Sequence, residues 1–273
     1  MRLVGLRSGH AGNWVPSMSV IPCAFVSGMN IILVAAEEVH NNRVVLTDHR
    51  AEHIVKVLKS GQGDTVRVGV INSLKGSGRI LGLTAKKPCC VELLLDLKEE
   101  KSPRPPLDLL LALPRPIMLK RIFSQAAALG FGSITLINAN RVEKSFWEAG
   151  LLNEASYRGH LLHGLEQAVD TRLPEVRYFT RFKPFVEDIL PDMMKEYSHC
   201  LLAHPVGNRT LKEVLVGEPG RILVAVGPEG GWVDYEVGRF QEKGFLAFTL
   251  GDRILKVDTA VISLHGRLSA LLE

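Results

Sequence analysis

A glycine-rich break, Gly227-Pro228-Glu229-Gly230-Gly231, follows the apolar run from Arg221 to Val226. A second stretch, Leu250-Gly251-Asp252-Arg253-Ile254-Leu255-Lys256-Val257-Asp258-Thr259-Ala260, follows the run from Leu246 to Leu250. Glycine has no Cβ and reaches φ > 0 at little cost, so a strand that breaks into glycines lets main chain approach a ligand closely. Two such exits close in sequence suggest one ligand site built largely from backbone N–H and C=O groups. Set into them are charged side chains, Glu229, Arg253 and Asp258, of the kinds that move protons or stabilise developing charge. The glycine loop alone reads equally as a tight turn. Other motifs are absent: no Gly-x-x-x-x-Gly-Lys-Ser/Thr, no Gly-x-Gly-x-x-Gly, no Gly-x-Ser-x-Gly and no His-Glu-x-x-His. His160 and His163 share a helix face but have no third ligand nearby in sequence, so no metal site is expected.

The elements that must position these residues fall into two sets. Between residues 29 and 100 the runs are short and β-rich: Ile31 to Val34, Arg43 to Thr47, Asp64 to Val70 with Val66, Val68 and Val70 on one face, Arg79 to Thr84, and Cys90 to Leu97. A short helix is expected over Glu52 to Leu58, burying Ile54, Val57 and Leu58, and a turn at Lys75-Gly76-Ser77-Gly78. Short strands with frequent turns suggest a small barrel. Residues 101–106 lie in a charged, proline-rich linker. From residue 107 to 273 strand and helix alternate. Strands are expected at Leu107 to Leu113, Ile134 to Ile137, His199 to Ala203, Arg221 to Val226 and Leu246 to Leu250. Helices are expected at Pro116 to Leu129, Leu151 to Val169, Val233 to Lys243 and Thr259 to Leu272. That alternation predicts an α/β domain with a mostly parallel sheet, whose ligands bind beyond the carboxyl ends of the strands.

The bounds agree. At 273 residues the chain suits one large or two ordinary domains, and 46% apolar residues supply a core. A net charge of +4 is compatible with a polyanionic partner without requiring one. The four cysteines, at 23, 89, 90 and 200, form no Cys-x-x-Cys pair, which fits a reducing cytoplasm. No apolar run reaches the ~18 residues of a membrane span. Residues 1–28 hold no acid and read as an extension from an upstream start, with the domain beginning at Met29; a transit peptide, and hence an organelle, is the alternative.

In order and spacing, Val226 to Gly231, Gly244-Phe245 and Leu250 to Ala260 resemble the C-terminal signature of the RsmE family, methyltransferases of the SPOUT superfamily that modify N3 of a uridine in small-subunit (16S) ribosomal RNA. Upstream, Leu113-Pro114-Arg115-Pro116 with Lys120-Arg121, Ala128 to Phe131, Asn140 to Trp147, Gly164 to Ala168 and Leu173-Pro174 are similar to the same family. His49 to Leu58 with Gly63-Asp64 match its N-terminal PUA-like β-barrel. The resemblance covers residues 29–273. It implies a trefoil-knotted catalytic domain at 107–273, a homodimer, and S-adenosylmethionine held largely by backbone. Carried over, the cofactor pocket comprises Leu202, Ala203, Gly227, Pro228, Glu229, Gly230, Gly231, Leu250, Ile254, Leu255, Val257, Thr259 and Ala260.

Methylating uridine N3 requires loss of the imide proton and favours a cation beside the developing anion. Arg253 is the first candidate, then Arg141 and Lys144. Glu229 or Asp258 could take the proton, although Glu229 is better suited to fixing a turn or a main-chain amide. For RNA, Lys56 on the barrel and Arg115, Lys120 and Arg121 after the linker are the expected grip, with Lys144. The helices from Leu151 and Thr259 are apolar enough to supply a dimer face as well as core. The family commonly has Arg-Thr-Glu-Thr-Ala where this chain has Lys256-Val257-Asp258-Thr259-Ala260, which removes a bidentate donor and shortens an acid. A methyltransferase for another RNA position, and an inactive RNA-binding assembly factor, remain as alternatives.

Overall fold

The computed structural model describes residues 30–205, 209–217 and 220–272; the expected extension at 1–28 lies outside them. The first half is a five-stranded sheet built from β1 (Ile32–Val34), β2 (Arg43–Leu46), β3 (Thr65–Val70), β4 (Lys75–Thr84) and β5 (Cys90–Glu99), in the order β1-β3-β4-β5-β2. The β1–β3 ladder is parallel and the others antiparallel. β1 and β2 stand at the two edges. Val66 and Val68 are fully buried and Val70 nearly so, as their alternation requires.

Two local expectations are corrected. Residues 75–78 are not a turn but the start of β4, and the chain reverses at 71–74 instead, with Asn72 in the left-handed region. Gly76 and Gly78 mark close packing within the sheet, since a Cβ on Gly76 would collide with Asp96 O and one on Gly78 would lie 2.7 Å from Val68 Cγ2. The short helix is α1 (His49–Glu52), and it runs directly into a π turn at His53–Val57. There the Leu58 N–H reaches back five residues to the His53 carbonyl. The wider turn rotates Val57 away from Ile54, leaving it 64% exposed.

The second half is a six-stranded sheet of β6 (Leu107–Ala112), β7 (Ser133–Ile137), β8 (Glu175–Phe179), β9 (His199–Ala203), β10 (Ile222–Val226) and β11 (Leu246–Phe248). Its order is β11-β9-β10-β6-β7-β8 and every ladder is parallel. Its helices are α2 (Pro116–Leu129), α3 (Lys144–Glu148), α4 (Glu154–Ala168), α5 (Phe182–Pro184), α6 (Leu190–Met194), α7 (Leu211–Val214), α8 (Asp234–Glu242) and α9 (Val257–Leu272). They cover both faces, so the central strands are apolar throughout. Leu109, Leu111 and Val224 join Phe123, Leu161 and Leu264 on one side, while Leu110, Leu223 and Ala225 meet Phe185, Trp232 and Phe240 on the other. Among the described residues no helix is long and apolar enough to cross a membrane.

At the amino end of this sheet, charge is buried. Asp108, inaccessible to solvent on β6, pairs with Arg221, which also donates to Glu196 and lies 4.8 Å above the Tyr197 ring. Burial, reinforced by the Asp108 carboxylate, holds the Tyr197 phenol far above its ordinary value.

The two sheets are joined through β1 and the turn after α4. Ile32 and Val34 enter the small core, whereas Ile31 and Leu33 enter the large one. The Ile31 N–H donates to Glu166 O, the Asn72 N–H to Thr171 O, Thr171 Oγ1 to Ser73 O and Lys75 Nζ to Val169 O.

Candidate functional site

The carboxyl ends of β6, β9, β10 and β11 carry the segments that the sequence singles out. After β10, the Gly231 N–H closes a turn onto Pro228 O at 2.8 Å, and Gly231 takes φ +74°. After β11, Gly251 takes φ +118°, and its N–H donates to Thr249 Oγ1 at 3.1 Å. Both strand exits therefore use a left-handed glycine, where a side chain would be strained. The backbone at the other two glycines has close neighbours. A Cβ on Gly227 would lie 3.1 Å from Trp232 Nε1, and one on Gly230 would lie 2.9 Å from Arg141 Cδ.

Three side chains hold the loop and the segment that follows it. Glu229 Oε1 accepts the Arg115 N–H at 3.0 Å, tying the loop to the start of α2, where backbone donors are otherwise unpaired. Arg141 lays its stem along Gly230 and donates from Nη1 to the Gly230 carbonyl. Glu236 is almost fully buried; it accepts the Asn140 N–H at 2.6 Å and the Val233 N–H at 3.0 Å, joining the segment after β7 to the segment after β10. Beneath Gly227, Trp232 is buried and its Nε1 has no hydrogen-bond partner among the described residues.

The candidate cofactor residues are thus partly assembled. Leu202 is inaccessible to solvent within β9, between β10 and β11, and Pro228 is buried as well. Ala203, Gly227, Gly231, Leu250, Leu255 and Ala260 are half-buried, while Glu229, Gly230 and Thr259 are exposed. Ala203, Leu250 and Ala260 pack against the cluster that holds Val226 and Val257. Leu250 O is fixed by Arg267 Nη1 at 2.9 Å. Ile254 stands apart at 86% exposed.

Among the proposed catalytic groups, Arg141 and Glu229 meet at the glycine loop, each engaged with main chain. Arg253 is exposed on the loop after β11, with no ion pair or hydrogen bond among the described residues. Asp258 accepts the Thr259 N–H at 2.9 Å and lies 3.9 Å from Arg121. Arg115, Lys120 and Lys144 are exposed. Lys56 lies in the π turn after α1, beside the other sheet, and pairs with Glu52 at 2.6 Å. His163 is not isolated, for its Nδ1 lies 3.2 Å from Ser124 Oγ. Beyond the end of β9, burial holds His204 below its ordinary value against the pull of Asp234.

Sequence reasoning passed over Glu236 and Trp232. Glu236 closes a capping box, but the cap residue is Val233, which lacks the hydroxyl that makes this signature visible. Next to the glycine loop lies a cleft of about 800 Å³ lined by Asn138, Trp147, Phe182, Lys183 and Tyr235 among others. It opens beyond the carboxyl ends of β7 and β8.

Comparison with known proteins bears on all of this. A family model described as an RNA methyltransferase domain matches residues 100–269. Over 235 residues the chain is 34% identical to ribosomal RNA small subunit methyltransferase E of Treponema pallidum, covering 85% of this chain and 87% of that protein. It is 27% identical over 276 residues to the protein of the same name from Synechocystis sp., covering 96% and 86%. Among solved structures, ribosomal RNA small subunit methyltransferase E from Neisseria gonorrhoeae, bound to S-adenosyl methionine, superposes with a TM-score of 0.69 at 20% identity over 89% of this chain and 98% of that one.

Proposed function

The chain belongs to the RsmE family of RNA methyltransferases, and from that premise we propose that it transfers a methyl group from S-adenosylmethionine to N3 of a uridine in 16S ribosomal RNA. The observation that carries this reading is the pair of glycine-marked strand exits, whose backbone is open to a ligand, in a chain of this family.

The residues present fit the cofactor. Gly227 and Gly230 let the loop main chain seat closely against Trp232 and Arg141, half-buried Leu250, Leu255 and Ala203 offer apolar contact to a flat ring, and the buried Trp232 Nε1 is left without a partner among the described residues. When bound, the cofactor supplies an electrophilic methyl group on a sulfonium. The chain's own part is to hold both reactants and to stabilise charge. Ionised uracil carries an anion, and Arg253, which has no partner among the described residues, is the cation to meet it. Arg141 supports the cofactor loop at Gly230, and Glu229 anchors that loop to α2 through Oε1.

The finer architecture belongs to the same proposal. β11 lies at the sheet edge outside β9, yet α9, which follows it, packs against α2 and β10; that return path supports a threaded, knotted crossing. A homodimer is supported by Ile117, Ile254, Ile262 and Leu271, exposed on α2, on α9 and on the loop before it. The five-stranded sheet is the PUA-like, RNA-gripping domain at 29–100. Cytoplasmic residence is supported by the unpaired cysteines 89, 90 and 200.

The test is direct. Labelled S-adenosylmethionine and small ribosomal subunits from a strain lacking the corresponding enzyme are incubated with the protein, and the modified base is mapped. Label at uridine N3 supports the reading. Label elsewhere points to another RNA position, and RNA binding without label to an assembly factor.

A further inference from the structure

The cleft beyond β7 and β8 has features that holding the cofactor loop does not explain. Only 6% of the chain is aromatic, yet Trp147, Phe182 and Tyr235 all line this one cleft. Trp147 is fixed by donating from Nε1 to Asn138 Oδ1 at 3.0 Å. The Phe182 ring is braced edge-on by buried Phe240 at 5.5 Å and lies 6.3 Å from the Tyr235 ring, inclined by 58°. Tyr235 itself is 56% exposed, at the start of α8. A core-building tyrosine would be covered; this one presents its ring to solvent beside two others that are held in place.

The charge around the cleft is selective. Lys144 and Lys183 reach it from α3 and α5. Lys144 has no ion pair among the described residues, and the contact of Lys183 with Glu187 is stretched to 4.0 Å. Of the two acids that line the cleft, Glu236 is occupied by two backbone N–H groups, leaving Glu148 as the exposed carboxylate at the rim. Because Asn138 accepts through Oδ1, its amide N–H groups remain to donate to a base carbonyl. Aromatic faces with lysines at the margin recognise an unpaired nucleotide: the base stacks and the phosphates meet the cations. The cleft, at about 800 Å³, is within the range that holds a ligand of this size. It adjoins the candidate methyl-transfer site through Arg141 and Glu236 but includes none of its glycines.

We propose that this cleft is a stacking subsite for an unpaired nucleotide of the RNA strand flanking the one that is methylated, with Tyr235 and Phe182 as the stacking faces and Lys144 and Lys183 as the phosphate contacts. The proposal rests on the RNA-methylation reading above. It places strand-selection contacts on the catalytic domain as well as on the five-stranded sheet.

The test uses the full chain with small ribosomal subunits at saturating S-adenosylmethionine, and follows KM and kcat alongside calorimetric cofactor affinity. Tyr235→Ala is expected to raise KM for the subunit about tenfold with kcat within about twofold, because loss of one base–aromatic stack has an effect of that order. Tyr235→Phe keeps the ring and should restore the wild-type KM. Lys144→Ala with Lys183→Ala should raise KM and flatten its salt dependence. If Tyr235→Ala and the lysine pair both stay within about twofold of the wild-type KM, the subsite is refuted. If Tyr235→Ala instead weakens cofactor binding tenfold, the cleft belongs to the cofactor site and the proposal fails. A wild-type protein that methylates no ribosomal RNA sinks the functional reading and this inference together.

Discussion

The two ends of the six-stranded sheet use charge in opposite ways. At the amino end, Asp108 is inaccessible to solvent and is paired with Arg221, whose side chain is only 20% exposed. At the carboxyl end, Arg253, Lys120 and Lys144 stand exposed, and Arg141, at the glycine loop, bonds a backbone carbonyl. Paired buried charges cost desolvation and bring a unique geometry, whereas exposed cations near a concave surface keep their field for an incoming anion. One end is therefore expected to carry stability and the other chemistry, and variants can separate these.

The largest effect on stability should come from Arg221→Met, which leaves Asp108 buried without its cation. A loss of about 3–5 kcal/mol is expected in urea unfolding, while methyl transfer per folded molecule stays at the wild-type level. Adding Asp108→Leu should recover most of the loss; a double variant as weak as the single one would contradict this account of the amino end.

At the other end, Gly231→Val forces a β-branched residue to φ +74°. The backbone penalty is smaller, about 1–2 kcal/mol, but cofactor affinity measured by calorimetry should fall more than tenfold. Gly231 tests the loop more cleanly than Gly230, because a side chain at Gly230 would also displace Arg141. Arg141→Ala should cost less than about 1 kcal/mol of stability, since its hydrogen bond is exposed, yet lower methyl transfer about tenfold. Equal loss of stability and activity in this variant would erase the contrast between the two ends.

The smallest effect is in the alkaline range. The Tyr197 phenol is raised by burial and by Asp108. A raised acid contributes stability below its unfolded value near ~10 and loses it as pH climbs beyond that. Wild-type stability should therefore fall above about pH 10 more steeply than that of Tyr197→Phe, as followed by thermal melts; parallel curves would mean the phenol titrates alike in both states.

How far the sequence reveals this division depends on the residue. Pro116 and Gly130 bracket α2, and its bounds follow from them. The parallel strands His199–Ala203 and Ile222–Val226 are visible as unbroken apolar runs. β8 is not, because as an edge strand it interrupts its apolar residues with Glu175 and Arg177, and none of its side chains is fully buried. Val57 is misplaced for a different reason: a π turn breaks the 3.6-residue period on which face assignment rests. At the site, the left-handed glycines are legible as composition. The partners of Glu229 and Arg141 are not, since they are backbone groups 114 and 89 residues away in sequence. Glu236 is hidden likewise, its second acceptor being spent across 96 residues on Asn140.

β1 and the residue before it deal alternate side chains to two cores, Ile31 and Leu33 to one and Ile32 and Val34 to the other. Neither half can melt alone without uncovering apolar surface on its neighbour. The molecule should therefore unfold in a single step, with calorimetric and van't Hoff enthalpies in agreement, and a chain cut at the linker should show the loss in both fragments.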